Sequence, residues 1–521
     1  MSCTAPEDLP QSSRVLDAPT VLFLLAALVF LYFLLFFPPF TPIEHLMDGW
    51  LSLAPGQRMY EGEMIYRDIF EFMTPGTALV YFFLFKIFGL RLWIPNLLSL
   101  LLGLGLAWIG VVISKKLIGP RLCLLPSAIF LAGVYKNNID PTHHWFSMLT
   151  ATAAIAVMLD RQTTARIATA GFLCGLTACF TQTRGLAAVV GFAVFLWWES
   201  QRRQEDRRGL LKKQAWLIAS FLATLLAVNG YFIWKAGLAR FLWCTVVFNL
   251  KYYPRAGANT FWAFREALPA FTSLSSFLLQ FKEWLFIYVV IPFSYLLFFG
   301  RYRRDSNKRA MEFWERPMLL ATVGAFLLLS IAPAAGRFRM AVSALPGIIL
   351  LVWFIDSPRR LARILAAVLA VGVMLVVPFA VRKAQIVESN ILTTPQGKLA
   401  VTYPGAYEQY TWIQAHTRPS EYIYETAWAD VYFCLDLRNP TPLPRVETNG
   451  YTTPEQVAEV IRGLEQHQVH YILWSADQDL VTEEGNRSAD PRGPLRDYVH
   501  SRYQRVKLFA DSVEVWERIK E

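Results

Sequence analysis

An acidic residue in the first polar segment of the chain is of a type and in a place that could do chemistry. The run HLMDGW (45–50) follows a long apolar stretch and carries Asp48 as its carboxylate. A carboxylate held at a membrane face is partly desolvated, which raises its pKa and makes it a better proton acceptor. Asp48 could therefore act as a general base, but the residues alone favour a different interpretation, in which it caps a helix lying along the membrane interface.

A second polar run, YKNNIDPTHHW (135–145), places Asp140 close to His143 and His144. Carboxylate and imidazole groups at such spacing can bind a metal, but three ligands within five residues of a loop are a weak metal signal. Substrate binding and simple loop solvation are the other interpretations. None of the six cysteines has metal-ligand spacing, and a disulfide framework is not expected.

The elements that must position these residues are membrane spans. Hydrophobic residues make up 55% of the chain and charged residues 17%, with 38 Phe, 21 Tyr and 17 Trp, and lipid accommodates so much apolar surface where water does not. The formal net charge of +10 comes largely from short basic loops flanking apolar runs. That pattern is typical of cytoplasmic loops and disfavours nucleic-acid binding.

The hydropathy pattern predicts an α-helical polytopic membrane protein of roughly 11–13 spans. The first apolar run lacks a cleavage pattern, so we interpret it as a retained span. The candidate spans are about 20–40, 75–90, 92–113, 121–136, 145–160, 166–182, 185–199, 214–234, 284–300, 317–335, 340–356 and 361–381.

The basic loops also predict the orientation of the chain. Placing loops 200–213, 301–309 and 357–364 in the cytoplasm leaves the first loop, 41–74, and everything after about 382 outside. An N-terminus inside and a C-terminus outside require an odd number of spans. We therefore expect that one span between 75 and 136 is miscounted, or that an extra one exists near 264–281.

The chain divides into a transmembrane domain, 1–381, and a soluble domain, 382–521. Within the second, the segments 422–424, 469–474, 506–509 and 513–516 are rich in β-branched and aromatic residues and predict strands. The run PEQVAEVIRGLEQH (454–467) has apolar residues at helical spacing, with Pro454 in its first turn. These elements predict a small α/β domain.

The first loop resembles that of lipid-linked-sugar glycosyltransferases of the GT-C superfamily. The branch it resembles contains protein O-mannosyltransferases and aminoarabinose transferases. The resemblance rests on Asp48, on the run GEMIYRD (62–68), and on Pro75 at the start of the next apolar run. The chain departs from the family pattern in having Asp48-Gly49 where Asp-Glu is usual, and Thr74-Pro75 where Pro-Pro is common.

This resemblance implies a GT-C-like fold and an enzyme of the cell inner membrane, a hexosyl- or pentosyltransferase. It would transfer a sugar from a polyprenyl-phosphate donor to a lipid, glycan or protein acceptor on the periplasmic face, with Asp48 as the general base. The donor phosphate needs fixed cations, because its departure leaves extra negative charge. The candidate cations are Arg184, Lys251, Arg337 and Arg339, each of which could instead be a snorkelling anchor.

The remaining substrate-binding candidates are Tyr66, Asp68, Asp140, His143 and His144. No cofactor is required by the resemblance, and a divalent metal stays an alternative. Membrane lipids are expected partners. Two other functions are open: a transporter or flippase for a lipid-linked or small polar substrate, and a receptor that uses 382–521 as its binding module. Against transport, the spans carry little charge and no internal repeat is evident.

Overall fold

The structure is a computed structural model. It describes residues 16–44, 48–160, 162–356, 360–386, 389–426, 429–447, 452–479, 490–510 and 512–520, without the side chains of 266, 361 and 362. The start of the first-loop motif (45–47) and Cys3 therefore lie outside the described residues. The other five cysteines are free and buried.

Up to residue 386 the described chain is mostly helical, and its strands there are the short pair β1 (Phe36–Phe37) and β2 (Thr41–Pro42), which bends the chain after the first helix. The helices are α1 Ala18–Leu35, α2 Asp48–Tyr60, α3 Gly76–Phe88, α4 Trp93–Lys115, α5 Leu125–Ile129, α6 His143–Met158, α7 Thr164–Phe180, α8 Gln182–Arg203, α9 Arg207–Ala236, α10 Leu238–Leu242, α11 Phe248–Lys251, α12 Ala263–Glu266, α13 Leu274–Leu285, α14 Ile291–Asp305, α15 Met311–Leu329, α16 Arg337–Val342, α17 Ala344–Ile355 and α18 Arg360–Ile386. π-Helical segments extend α5 through Phe130–Val134 and join α13 to α14 through Phe286–Val290.

Six of these helical stretches, among the described residues, are long and apolar enough to cross a membrane. They are Ala18–Leu35, Trp93–Lys115, Arg207–Ala236, Leu274–Asp305, Met311–Ala334 and Arg363–Ile386, and α3, α7 and α17 are shorter apolar helices. The predicted fold class, many apolar helices followed by a small domain with sheets, is confirmed.

Ion pairs join helix ends, one of them bordering a predicted cytoplasmic loop, at one end of the helical bundle, which we call the basic end. Lys115 at the end of α4 pairs with Asp17 before α1 at 2.9 Å. Arg203 at the end of α8 pairs with Glu315 near the start of α15 at 2.8 Å. The first loop lies at the opposite end, which we call the loop end. The basic loops and the first loop are therefore on opposite sides of the bundle, as the charge pattern predicted.

Helix α3 is not a span, so the predicted span 75–90 is wrong. Thr74, just before α3, donates to the carbonyl of Ala178 at 2.7 Å, and Leu92, just after it, donates its N–H to Gln396 at 3.3 Å. Both partners lie at the loop end. With both of its ends on the same side of the bundle, α3 does not cross the membrane. Removing it from the twelve predicted spans leaves eleven for the described chain, the odd number that the orientation requires.

The C-terminal domain is a small α/β domain, as predicted. Its elements are β3 Asn390–Thr394, β4 Gly397–Val401, α19 Pro404–His416, β5 Tyr424–Glu425, α20 Asp430–Cys434, α21 Pro454–Gln466, β6 Tyr471–Ser475, α22 Gly493–Arg502, β7 Tyr503–Leu508 and β8 Val513–Arg518. Strands β3 and β4 form a hairpin, and the other four form a sheet of order β5-β6-β8-β7 in which only the β5–β6 pair is parallel. Helix α21 begins directly after its N-cap residue Thr453, which forms a capping box with Gln456.

The C-terminal domain is docked on the first loop by backbone hydrogen bonds. Ile43 forms a parallel bridge with Ala400 of β4. Phe70 donates its N–H to the carbonyl of Pro442 at 2.9 Å. These contacts hold the domain against the loop end of the bundle, over the residues that the sequence singles out.

Candidate active site

A cavity of about 330 Å³ lies at the loop end, where four distant parts of the chain meet. These parts are the first loop, the N-terminus of α6, the segment 248–259 with α16, and the C-terminal domain. The polar and charged side chains that line it are Asp48, Ser52, Glu71, Thr74, Thr77, Thr142, His143, His144, Tyr253, Asn259, Arg339, Arg445, Glu447, Thr452 and Gln456.

Asp48 lines the cavity from the first turn of α2. Helix α2 lies directly on α3 because Gly56 has no side chain: a Cβ there would stand 2.5 Å from the Cβ of Tyr81. This close packing holds α2 against α3 and so fixes the position of Asp48. A carboxylate in the first turn is also favoured by the helix dipole, so the capping interpretation and the catalytic one are compatible.

The electrostatic surroundings of Asp48 suit a base. Its side chain is open to the cavity, yet the surrounding walls displace water, and this desolvation raises the pKa of Asp48 above its ordinary value. The positive charges of Arg445 and Arg339 act in the opposite direction. Asp48 is therefore in a partly dehydrated space, under the influence of two arginines and of the Glu447 carboxylate.

His143 and His144 begin α6 and line the cavity side by side, with ring centroids 3.9 Å apart. His143 Nδ1 lies 3.0 Å from the hydroxyl of Thr181. Thr142, immediately before them, is buried on the lining, and its hydroxyl has no hydrogen-bond partner among the described residues. A buried polar group of this kind is costly unless it is satisfied, so a polar ligand at this wall would stabilise it.

Arg339 is the predicted cation that reaches the cavity. Its guanidinium donates to Asn259 Oδ1 at 2.8 Å and to the hydroxyl of Tyr253, and it makes longer bonds to the carbonyls of Ala258 and Ala334 at 3.3 Å. All of these acceptors are neutral, and within the described part of the chain no carboxylate pairs with it. Its full positive charge is therefore available to an anion in the cavity.

Arg184 lies behind the histidines rather than on the lining. It is 2% exposed, and its NH1 donates to Ser147 Oγ at 2.7 Å and to the carbonyl of His144 at 3.0 Å. Its charge acts on His143 and on Arg339. Arg184 thus holds the start of α6 in place and adds a second positive charge beneath the cavity wall.

Two other predicted cations lie elsewhere. Arg337 pairs with Glu283 of α13 at 2.6 Å. Lys251 is exposed and stands over the ring of Tyr252 at 5.4 Å from its centroid. In the described structure neither one is part of the cavity lining.

Three predicted substrate-binding residues lie outside the cavity lining. Tyr66 is buried, adopts a positive φ of 68°, and donates its hydroxyl to the carbonyl of Met73 at 2.6 Å. Asp68 accepts from the N–H of Met64 at 2.9 Å, which closes the turn of the first loop. Asp140 is half-buried and precedes the histidines by three residues. Of the described residues, these three are not among the lining.

Sequence reasoning missed three charged lining residues. Glu71 accepts from the N–H of Met73 at 2.8 Å, and burial raises its pKa to about 7. Arg445 and Glu447 form an ion pair of 2.7 Å on the C-terminal domain. Glu71 follows the first-loop motif directly and could have been noticed, but the local sequence around 445–447 contains no signal for this role.

No group of three or more His, Cys, Asp or Glu residues that could hold a metal was found among the residues described. Asp140, His143 and His144 thus do not form such a group.

No known family profile matches the chain, and no curated protein matches it by sequence. Solved structures do match it. ArnT from Cupriavidus metallidurans bound to undecaprenyl phosphate superposes with a TM-score of 0.57 at 14% identity, covering 96% of this chain and 98% of that chain. ArnT from the same organism in the apo state gives a TM-score of 0.51 at 12% identity, with 96% and 99% covered.

These likenesses extend over nearly the whole of both chains and show that this chain shares the fold of ArnT. At such low identity they establish the fold alone.

Proposed function

We propose that this protein is a membrane glycosyltransferase that moves a sugar from a polyprenyl-phosphate donor to an acceptor, and that the cavity at the loop end is its active site. The observation that carries the proposal is that Asp48 and Arg339 line one cavity. The fold likeness to ArnT bound to undecaprenyl phosphate supports a lipid-linked donor.

The reaction needs a base on one side of the cavity. As an acceptor hydroxyl attacks the anomeric carbon of the sugar, its proton passes to the Asp48 carboxylate. A carboxylate with a raised pKa takes this proton more readily than an ordinary one. The new bond joins the acceptor oxygen to the anomeric carbon, and the bond from that carbon to the phosphate oxygen breaks.

The other side of the cavity must stabilise the leaving group. Breaking the bond returns an electron pair to the phosphate of the polyprenyl carrier, which gains a negative charge. Arg339 is already fixed by its neutral acceptors and needs little reorganisation to receive that charge. Arg184, beneath the histidines, adds attraction from behind the wall.

The reaction would then take place on the extracytoplasmic side of the cell inner membrane. The basic loops gather at the end of the bundle opposite the cavity, and positively charged loops remain in the cytoplasm. The cavity and the C-terminal domain would then face outward, where the domain covers the acceptor side. An odd number of spans agrees with this orientation.

The decisive experiment compares cells with and without the gene by mass spectrometry of lipid-linked sugars and of surface glycans, lipids and proteins. The expected result is one missing surface modification with its lipid-linked donor accumulated, both restored by the wild-type gene and not by Asp48→Asn. Unchanged sugar profiles would refute the proposal. Transport of the same lipid-linked sugar by purified protein in proteoliposomes, without sugar transfer, would make it a flippase.

A further inference from the structure

Four basic side chains from four separate elements converge at the loop end, on the outside of the helical bundle. This rim cluster consists of Lys136 after the π-helical turn of α5, Lys282 on α13, Arg337 on α16 and Lys383 on α18. The charges of Lys282, Arg337 and Lys383 all act on Lys136. In the described structure none of the four lines the cavity.

One carboxylate, Glu283, stands within the rim cluster. It pairs with Arg337 at 2.6 Å and accepts from Asn137 Nδ2 at 3.1 Å. The side-chain oxygen of Asn137 in turn accepts from Lys136 at 2.6 Å. Glu283 thus ties α13, α16 and the end of the α5 segment together but cancels a single positive charge. The three lysines repel one another unless an anion lies between them.

The rim cluster lies at the depth of lipid headgroups. Lys282 and Arg301 are separated by about 20 residues along α13 and α14, and so are Arg363 and Lys383 along α18. Each spacing corresponds to about 30 Å of helix, which is the thickness of the hydrocarbon core. Since Arg301 and Arg363 lie towards the basic end, Lys282 and Lys383 reach the opposite headgroup layer together.

Apolar surface continues from the rim cluster towards the middle of the membrane. Leu285 of α13 is 38% exposed, and Leu375 and Phe379 of α18 are 67% and 70% exposed. The π-helical segment Phe130–Val134 packs on α18. Asn137, which follows this segment, donates to Glu283 on α13, so the segment forms the floor between α13 and α18. Gly133 on this floor is exposed, with open space where a side chain would stand. The result is a shallow groove suited to lipid chains.

We propose that the rim cluster binds the headgroup phosphate of an anionic bilayer phospholipid, whose acyl chains lie in the groove between α13 and α18. The phosphate supplies the counter-charge that Glu283 alone does not provide. Because Arg337 and Arg339 are two residues apart on α16, they point to different faces of the helix, one to the lipid and one to the cavity. The lipid site is therefore separate from the cavity and independent of the function proposed for it.

The test uses the purified full-length protein in detergent, with lipid binding measured by native mass spectrometry. The triple variant Lys136→Gln, Lys282→Gln, Lys383→Gln removes three charges and keeps the Arg337–Glu283 pair. Each lysine near an anionic headgroup contributes about fivefold, so affinity for phosphatidylglycerol should fall about a hundredfold. Binding of zwitterionic phosphatidylcholine should not change.

A matched control removes three exposed charges at the basic end, by Arg207→Gln, Arg208→Gln and Lys212→Gln. This control should bind phosphatidylglycerol like the wild type at the rim cluster. If the triple variant does not fold, Lys282→Gln alone should show the fivefold loss, since its side chain is exposed. Equal losses in control and variant, no loss in either, or displacement of phosphatidylglycerol by equimolar undecaprenyl phosphate would each overturn the proposal.

Discussion

Replacing Asp48 with Asn is the sharpest test of the proposed chemistry. Asparagine keeps the shape of the side chain and caps a helix as well as aspartate does, so α2 should remain in place. An amide cannot take up the acceptor proton. Positioned general bases contribute about 10² to 10⁴-fold, which corresponds to roughly 3–5 kcal/mol of transition-state stabilisation.

The cavity itself indicates where in that range the loss should fall. Two further carboxylates line it, but Glu71 is engaged by the N–H of Met73 and Glu447 by Arg445. They can replace Asp48 only poorly, so we expect a loss in kcat of about a thousandfold. The KM for the donor should change little, because Arg339 is untouched.

The acid limb of the wild-type pH profile provides an independent check. The base acts when it is deprotonated, and desolvation raises the pKa of Asp48. Activity should therefore fall as the pH drops through this raised pKa, at a higher pH than an ordinary aspartate would give. Transfer from a polyprenyl-phosphate sugar to the acceptor found in cells, followed by mass spectrometry at several pH values, measures both quantities.

The control is Asp497→Asn, the same chemical change at an exposed position on α22. It should leave the rate and the pH profile unchanged. More than about a tenth of wild-type activity in Asp48→Asn, in protein that is folded and in the membrane, would refute the role assigned to this residue.

Three further predictions concern the walls of the cavity and its supports. Arg339→Lys keeps the charge but loses the planar fork, and the KM for the donor should rise about tenfold in a steady-state assay. Gly56→Ala brings a Cβ to 2.5 Å from a side chain of α3 and should destabilise the protein by about 1–3 kcal/mol, seen as a lower melting temperature. Glu44→Gln should stabilise the protein at pH 8 but not at pH 5. Burial beside Asp430 raises the pKa of Glu44 to about 7, so wild-type stability is lost as the pH rises from about 4.5 through 7.

Each of these has its own control. Arg337→Gln, outside the cavity, should leave the donor KM unchanged, and an equal rise would show that Arg339 acts only through local structure. Gly230→Ala meets open space and should not lower the melting temperature. The Glu44 argument is wrong if Glu44→Gln has the same effect on melting at pH 5 and pH 8.

The misassigned span illustrates one limit of sequence reasoning. Hydropathy reports the transfer of each residue from water to an apolar medium, and the residues of α3 transfer as favourably as those of a span. The two ends of α3 are held at the loop end by Ala178 and Gln396, both far away in the sequence. The positions of the basic loops require an odd number of spans, which revealed that one of the twelve was miscounted. Only these contacts identified it as the one at α3.

The cations show a second limit. Sequence alone treated Arg337 and Arg339 alike, because both follow an apolar segment and precede a span. On a helix, two residues of separation correspond to a rotation of about 200°, which sends one side chain to the cavity and the other to Glu283 on the outer surface. The orientation of α16 in the bundle decides which residue has which position.

The sequence by itself determined that the chain is a polytopic helical protein with a small α/β domain, because those conclusions depend on periodicity and transfer free energies within short windows. It also selected Asp48, through the pattern of the first loop. The tertiary structure decided that the C-terminal domain is part of the cavity, through Arg445 and Glu447, since that contact joins surfaces nearly 400 residues apart. Long-range packing of this kind has no local sequence signature, because either surface could be solvated on its own.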